Sequence, residues 1–426
     1  MTNHYSPMRA WLIWLLGALF FFSMYIPRVA TGVITADLMH DFAVSAGAIG
    51  TLTSFYFYPY LIMQVPVGIT IDRFGPRILL TIMVSLCGIS CLIFARAESI
   101  GLAEVSRALL GFTGTFAFVG ALKLAAEWFS PSKIGLLSGL TQSLGMLGAM
   151  VGEHPIALSA SSFGWRSTYI GLAVMFFVLA ALILIIVRDK PGKSDHFHVE
   201  HHAHEGSTLW QEAKFVIGNP QSWINGLYAG FLFAPTAAFA EQWGNYHLQV
   251  TYGMKDGALG ISLIFAGWAI AGPMLGWLSS KMGKRKPLMQ ISAILSCVFF
   301  CLILYVPMSK ATLFSLMFLF GICNTGVVLA YALATEINPH RVAGTSLAIA
   351  NMMSILIGAI FQPVIGYLID FFASSHQVVS DSLQLTHNGT DLKQAMSILP
   401  ACLLVAFILV FFIRETNCKP FEQQQA

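Results

Sequence analysis

Long apolar stretches separated by short polar breaks run the length of the chain. A helix that crosses a bilayer needs about 20 predominantly apolar residues in succession. By that measure the sequence predicts twelve spans, at 10–36, 46–69, 76–96, 101–128, 134–160, 165–187, 221–247, 257–280, 286–307, 311–335, 342–372 and 396–414. The long break is 188–220, which carries Lys190-Pro-Gly-Lys193 and a histidine run through His196, His198, His201, His202 and His204. It falls between the sixth and seventh spans and reads as a linker between two six-helix bundles, 1–187 and 221–426. The first apolar run is too long for the core of a cleavable signal and has no small-residue cleavage site, so it is expected to be a span.

The two halves repeat each other. Gly68-Ile-Thr-Ile-Asp72-Arg73-Phe-Gly75-Pro-Arg77 stands between spans 2 and 3, and Gly276-Trp-Leu-Ser-Ser-Lys281-Met-Gly283-Lys-Arg285-Lys286 between spans 8 and 9. Glycines and basic residues keep their spacing, while Ser280 stands where the first half has Asp72. Glu127 through Pro131 after span 4 matches Glu336 through Pro339 after span 10. The fold class implied is all-α: twelve transmembrane helices in two parallel six-helix repeats, the design by which one transporter class builds alternating access.

Composition agrees. Hydrophobic residues make up 56% of the chain and charged residues 10%, against about 25% charged in a soluble domain. The apolar surplus requires a lipid bilayer as partner. A net charge of +3 gives no electrostatic footprint for nucleic acid. No phosphate loop, nucleophile motif or strong metal site is present, so neither an enzyme nor a cofactor is expected. Cys87/Cys91 and Cys297/Cys301 are each one helical turn apart, a spacing that suits small-residue packing and leaves metal or disulfide chemistry as the alternative.

Lysine and arginine set the orientation. One series of loops holds Arg73/Arg77, Lys133, Arg188/Lys190/Lys193/Lys214, Lys281/Lys284/Arg285/Lys286 and Arg341. The other holds Arg96, Arg107, Arg166, Lys255, Lys310 and Lys393, mostly singly and beside acids. The first series is expected to be cytoplasmic, with both termini and the linker, in a bacterial inner membrane.

On these features the chain resembles a Major Facilitator Superfamily transporter over essentially its whole length. Gly68–Arg77 is similar to that superfamily's loop 2–3 signature, and Gly164-Trp165-Arg166 is typical as well. Tyr25-Ile-Pro-Arg28 resembles the organic-anion and organophosphate symporters. Lys123-Leu-Ala-Ala-Glu127-Trp128-Phe129 and Glu241-Gln-Trp243-Gly244 resemble nutrient and amino-acid importers of intracellular bacteria, the phagosomal-transporter group. Gly139, Gly148 and Gly152 have the spacing of the antiporter signature, but Glu153 stands where that signature has proline.

Arg28 is the most informative polar residue. An arginine inside a span is costly unless it faces a wet cavity, a partner or the interface. Its planar fork suits a carboxylate or phosphate; snorkelling to the interface is the alternative. Lys123, Gln142, Asn324, Tyr331 and Asn351 are further candidates for substrate contact, and Gln64 and Gln362 also lie at cavity depth, although such residues often serve as interhelical glue. Glu153, His154 and Glu241 are candidates for proton coupling, each with an interfacial alternative. Asp72, Arg73 and Arg77 are expected to form a cytoplasmic gate, and Glu127 and Glu336 to pair with loop basics such as Arg77 or Lys286. The histidine run fits no closed tetrahedral metal site and reads as a solvated tether.

The function expected is proton-coupled uptake of a small polar solute bearing a carboxylate or phosphate: an amino acid, small peptide, organic acid, organophosphate or carboxylate siderophore. The protein is expected to work as a monomer. A proton-driven exporter of drugs or metabolites and a non-transporting membrane sensor are the alternatives.

Overall fold

The structure, a computed structural model, describes residues 7–64, 66–188, 209–339, 342–376 and 387–424. Lys190, Lys193, the histidine run, Arg341 and the side chain of Asp72 lie outside that description. Among the described residues there is no strand. The chain divides into two compact units, Met1–Ala43 with Thr51–Phe197, and Val44–Gly50 with His198–Ala426. The inclusion of residues 44–50 in the second unit departs from the boundaries the sequence suggests.

The first part of the chain forms α1 (Pro7–Val33), α2 (Thr35–Phe42), α3 (Ala46–Ser54), α4 (Phe57–Met63), α5 (Pro66–Phe74), α6 (Pro76–Ala95), α7 (Ile100–Trp128), α8 (Pro131–Phe163) and α9 (Trp165–Ile186). The second forms α10 (Leu209–Gly218), α11 (Pro220–Pro235), a π-helix (Thr236–Trp243), α12 (Gly244–Tyr252), α13 (Gly257–Met282), α14 (Lys286–Tyr305), α15 (Lys310–Asn324), α16 (Val327–Glu336), α17 (Ala343–His376), α18 (Gly389–Met396), α19 (Ile398–Phe412) and α20 (Phe421–Gln424). Ten of the helical stretches are long and apolar enough to cross a membrane. The other two predicted spans, the second and the seventh, are broken. The second is divided among α3, α4 and α5, and the seventh changes from α to π and back. The expected linker is not wholly irregular, since α10 occupies its last part.

Helix packing carries the repeat. In the first unit α1 lies along α8, α6 along α9 and α7, and α4 along α7. In the second, α11 lies along α17, α14 along α19 and α15, and α13 along α15. In both, the first span therefore meets the fifth, the third meets the sixth and fourth, and the second meets the fourth. Close approach is bought with small residues: a Cβ on Gly148 of α8 would stand 2.1 Å from the Phe22 carbonyl oxygen of α1, as helix contact in lipid favours. Both repeated polar turns carry a glycine at positive φ, but in different conformations. Gly75 has φ 76° and ψ 148°, whereas Gly283 is left-handed helical at φ 64° and ψ 23°; both are regions that glycine enters far more readily than other residues. The segment predicted as a gate loop is thereby reduced to one glycine between two helices, with Arg73 in the last turn of α5 and Arg77 in the first turn of α6.

Arg107 corrects the loop assignment. It stands in the second turn of α7 and is only 2% exposed. Proximity to a span end made it look like a loop basic; packing has drawn it inside. Two other members of the same loop series do sit beside acids. Arg166 pairs with Asp41 and Lys310 with Asp256. Asp41 also accepts from Trp165. The Arg166 guanidinium, with His40 and Trp165, holds the Asp41 carboxyl down at about 2.

Candidate functional site

In the first unit the polar centre is Arg28. It follows Pro27 inside α1 and is 5% exposed. Its guanidinium carbon lies over three rings, Tyr25 at 4.9 Å, Phe57 at 5.2 Å and Tyr56 at 5.5 Å. Electron-rich ring faces attract a cation and offset part of its lost hydration. A snorkelling anchor would carry its head to the surface; this head is enclosed. The break in span 2 supplies the enclosure, because Phe57 opens α4 and Tyr56 stands just before it, stacked on Tyr60. Arg107 reaches the same place from α7. It donates to the carbonyl oxygens of Pro27 at 2.8 Å and Arg28 at 3.2 Å, and lies 5.3 Å from the Tyr56 ring. Two buried guanidinium groups thus share one tyrosine face, and one of them grips the backbone that carries the other.

Glu153 is buried on α8, beside the glycine that packs against Ile26 and Val29 of α1. The structure therefore brings Glu153 to the part of α1 that bears Arg28. His154 is half-buried and Pro155 follows within the helix. Gln142, half-buried, lies three turns earlier on α8. Lys123 is half-buried on α7 with its Nζ 3.8 Å from Glu127, one turn on. Arg77 donates twice to the Leu184 carbonyl oxygen, at 2.7 and 3.1 Å. Arg73 is exposed, 5.6 Å from the Phe74 ring.

In the second unit the polar residues gather on the π-helix. Such segments are rare and concentrate at functional sites. Glu241, Gln242 and Trp243 on it are all buried, as are Asn245 and His247 just beyond. Widening the helix redirects its backbone bonds. The Thr236 N–H turns to the Phe233 carbonyl, and the Leu232 carbonyl accepts from the Asn324 amide at 2.8 Å. Asn324 also accepts from the Thr236 hydroxyl at 2.6 Å, and Gln362 donates to the Ala237 carbonyl at 2.8 Å. Both ends of the Asn324 amide are thus engaged in holding the seventh span. Tyr331 of α16 meets Ser354 of α17 at 2.9 Å, and Ser354 donates to the Asn351 carbonyl. Tyr331 and Asn351 are accordingly brought together.

Glu336 finds its basic partner, but a different one from Lys286. Arg285 approaches at 2.7 Å with both groups buried. Arg285 also donates to Ser279, and Thr416 donates to Glu336. Lys286 turns to the Phe411 and Ile413 carbonyls.

Several known proteins are similar to this chain. The phosphoglycerate transporter protein of Salmonella typhimurium is 24% identical over 80% of this chain and 78% of its own length. The membrane sensor protein UhpC of Escherichia coli is 24% identical over 66% of each. Other curated relatives are matched over only 26–41% of their own length. Among solved structures, a bacterial homolog of the human lysosomal transporter Spinster superposes with a TM-score of 0.80, covering 98% of both chains at 16% identity, a likeness of fold. These are relatives among transporters, and the chain is not an enzyme. The sequence pattern of the family spans residues 13–363, and with the twelve-helix repeat already in place, the chain belongs to the Major Facilitator Superfamily.

Proposed function

We propose that this protein takes up a small anionic solute, bearing a carboxylate or phosphate, by proton-coupled alternating access. The observation that carries the reading is the enclosed guanidinium of Arg28. A buried cation on a membrane helix is costly and marks a functional site by default, and its fork matches a carboxylate or phosphate in two parallel bonds. The phosphoglycerate transporter among the relatives supports an anionic cargo. Lys123 and Gln142 in the first unit, with Tyr331 and Asn351 in the second, complete the set of solute contacts; Asn324 serves as scaffold. Glu153, His154 and Glu241 carry the coupling proton, since a chain without a nucleotide loop must draw on an ion gradient to concentrate its cargo. The excess of Lys and Arg in one series of loops supports a topology with both termini cytoplasmic.

The test is binding to purified protein. Arg28→Lys keeps the charge and loses the fork; affinity for phosphoglycerate, or for a small dicarboxylate, should fall about tenfold or more. Wild-type affinity in a well-folded Arg28→Lys would sink the anion site. A second reading, a sensor that binds without transporting, draws on the likeness to UhpC. It predicts ligand-dependent stabilisation with no solute movement in liposomes.

A further inference from the structure

Residues 44–50 belong to the second unit, yet from Thr51 onward the same helix belongs to the first. What holds those few residues is specific. At the start of α3 the first-turn N–H groups of Ala46 and Gly47 both donate to Asp370 of α17, at 3.1 and 2.7 Å. The Ser45 hydroxyl bonds the same carboxylate. Asp370 is held in turn by His387, whose Nε2 lies 3.2 Å from Oδ1. The other ring nitrogen of His387 meets the Tyr246 hydroxyl of α12 at 2.9 Å. The tautomer that fits has Tyr246 donating to Nδ1 and Nε2–H donating to Asp370. The His387 side chain is 1% exposed, so this chain of bonds is shielded from water.

The packing beneath it fits as closely. A Cβ on Gly47 would stand 2.5 Å from the Tyr367 ring, and one on Gly366 would stand 2.5 Å from the Ala46 carbonyl oxygen and 2.9 Å from Trp243. The contact therefore joins α3 to the helix that follows the π segment and carries Tyr246. A carboxylate on the first-turn N–H groups is a charge-assisted cap. It differs from an ordinary cap in that the carboxylate comes from another helix, more than three hundred residues away in sequence.

We propose that Tyr246, His387 and Asp370 form a releasable latch on the first turn of α3, and that its release is a step of the conformational cycle. The second half of that statement rests on the transport reading; the first does not. Hydrogen exchange on the full chain tests the latch directly. In Asp370→Asn the amides of Ala46 and Gly47 lose a charged acceptor, and exchange in a peptide spanning 44–54 should quicken about tenfold or more. His387→Ala, which leaves the carboxylate in place, should quicken it less. Unchanged exchange in both variants would overturn the latch. Should Asp370→Asn fail to fold, the His387→Ala comparison alone decides.

Release is tested by locking. Cysteines introduced together as Gly47→Cys and Tyr367→Cys should crosslink on oxidation, abolish uptake, and restore it on reduction, with neither single variant responding to oxidant. Wild-type uptake by the crosslinked protein would overturn release as a step. A chain that moves no solute even without substitutions would defeat the transport reading, and the exchange arm would still decide whether the latch exists.

Discussion

The two polar turns that repeat between the halves each pivot on a glycine at positive φ and differ in chemistry. Around Gly283, Arg285 is buried against Glu336 and braced by Ser279. The segment after α19 closes over it. Thr416 bonds Glu336, Gln424 bonds its carbonyl, and Glu415 accepts the N–H groups of Arg285 and Lys286 at 3.0 and 2.8 Å. Around Gly75, Arg77 donates to the Leu184 carbonyl, and Glu127 lies 3.8 Å from Lys123. One turn is a clasp with its charges mutually satisfied inside the second unit. The other keeps an acid, Asp72, where its twin has Ser280. The difference teaches that a repeated turn can keep its glycine and its basic residues while the partners of those residues change.

Glu336→Gln should break this contrast most severely. Removing one partner of a buried pair strands the other charge and costs about 3–5 kcal/mol. Thermal unfolding in detergent should show a large loss of stability, and little change would mean that the clasp is ornamental. Asp72→Asn should act oppositely, leaving insertion, stability and ligand binding near wild type while lowering uptake about tenfold. Normal uptake by that variant would remove Asp72 from the gate.

Glu415 offers a pH-dependent test of the clasp. Burial pushes its carboxyl up, but the backbone N–H groups of Arg285, Lys286, Asn417 and Thr416 outweigh that and hold it below the ordinary value. A depressed native value means that its stabilisation is present above the unfolded value of about 4.3 and disappears as pH falls through the native one. Glu415→Gln should therefore flatten the acid limb of the stability curve below about pH 4. An unchanged acid limb would exclude it as a contributor. Glu127→Gln should matter least, since a helical pair one turn apart is worth roughly 0.3–0.5 kcal/mol; a larger loss would show that the first turn is also a clasp.

Much of the fold was legible because lipid imposes a simple rule, and each span had to present its apolar run. The repeat was legible because Gly75 and Gly283 each hold a positive φ that other residues rarely adopt, with basic residues at the same spacing around them. The breaks in the second and seventh spans do not show in hydropathy. Pro59 has no N–H for the Phe55 carbonyl, which is the signal for the first break, and a π-helix leaves the hydropathy of its residues unchanged. At the candidate site, Arg28 announced itself by a charge within an apolar run. Arg107 did not, because near a span end the same charge reads as a loop. Tyr56, which lies against both guanidinium groups, carries no charge to set it apart within an apolar run. Asp370 and His387 escaped notice because capping a distant helix through its backbone N–H groups leaves no pattern in the capped sequence. Glu336 was expected to find a basic partner, and only geometry could choose Arg285 over its neighbour Lys286.

The π-helix of the seventh span also changes how the two halves correspond. The matching first span, α1, is α-helical throughout Pro7–Val33, whereas Thr236–Trp243 closes its turns over five residues. One surplus residue in a helix puts everything beyond it out of phase by about 100°. A gapless superposition of the first span on the seventh therefore turns matched positions about 100° away from each other after Trp243. Counting residues from one half to the other loses the facing of a side chain beyond the π segment.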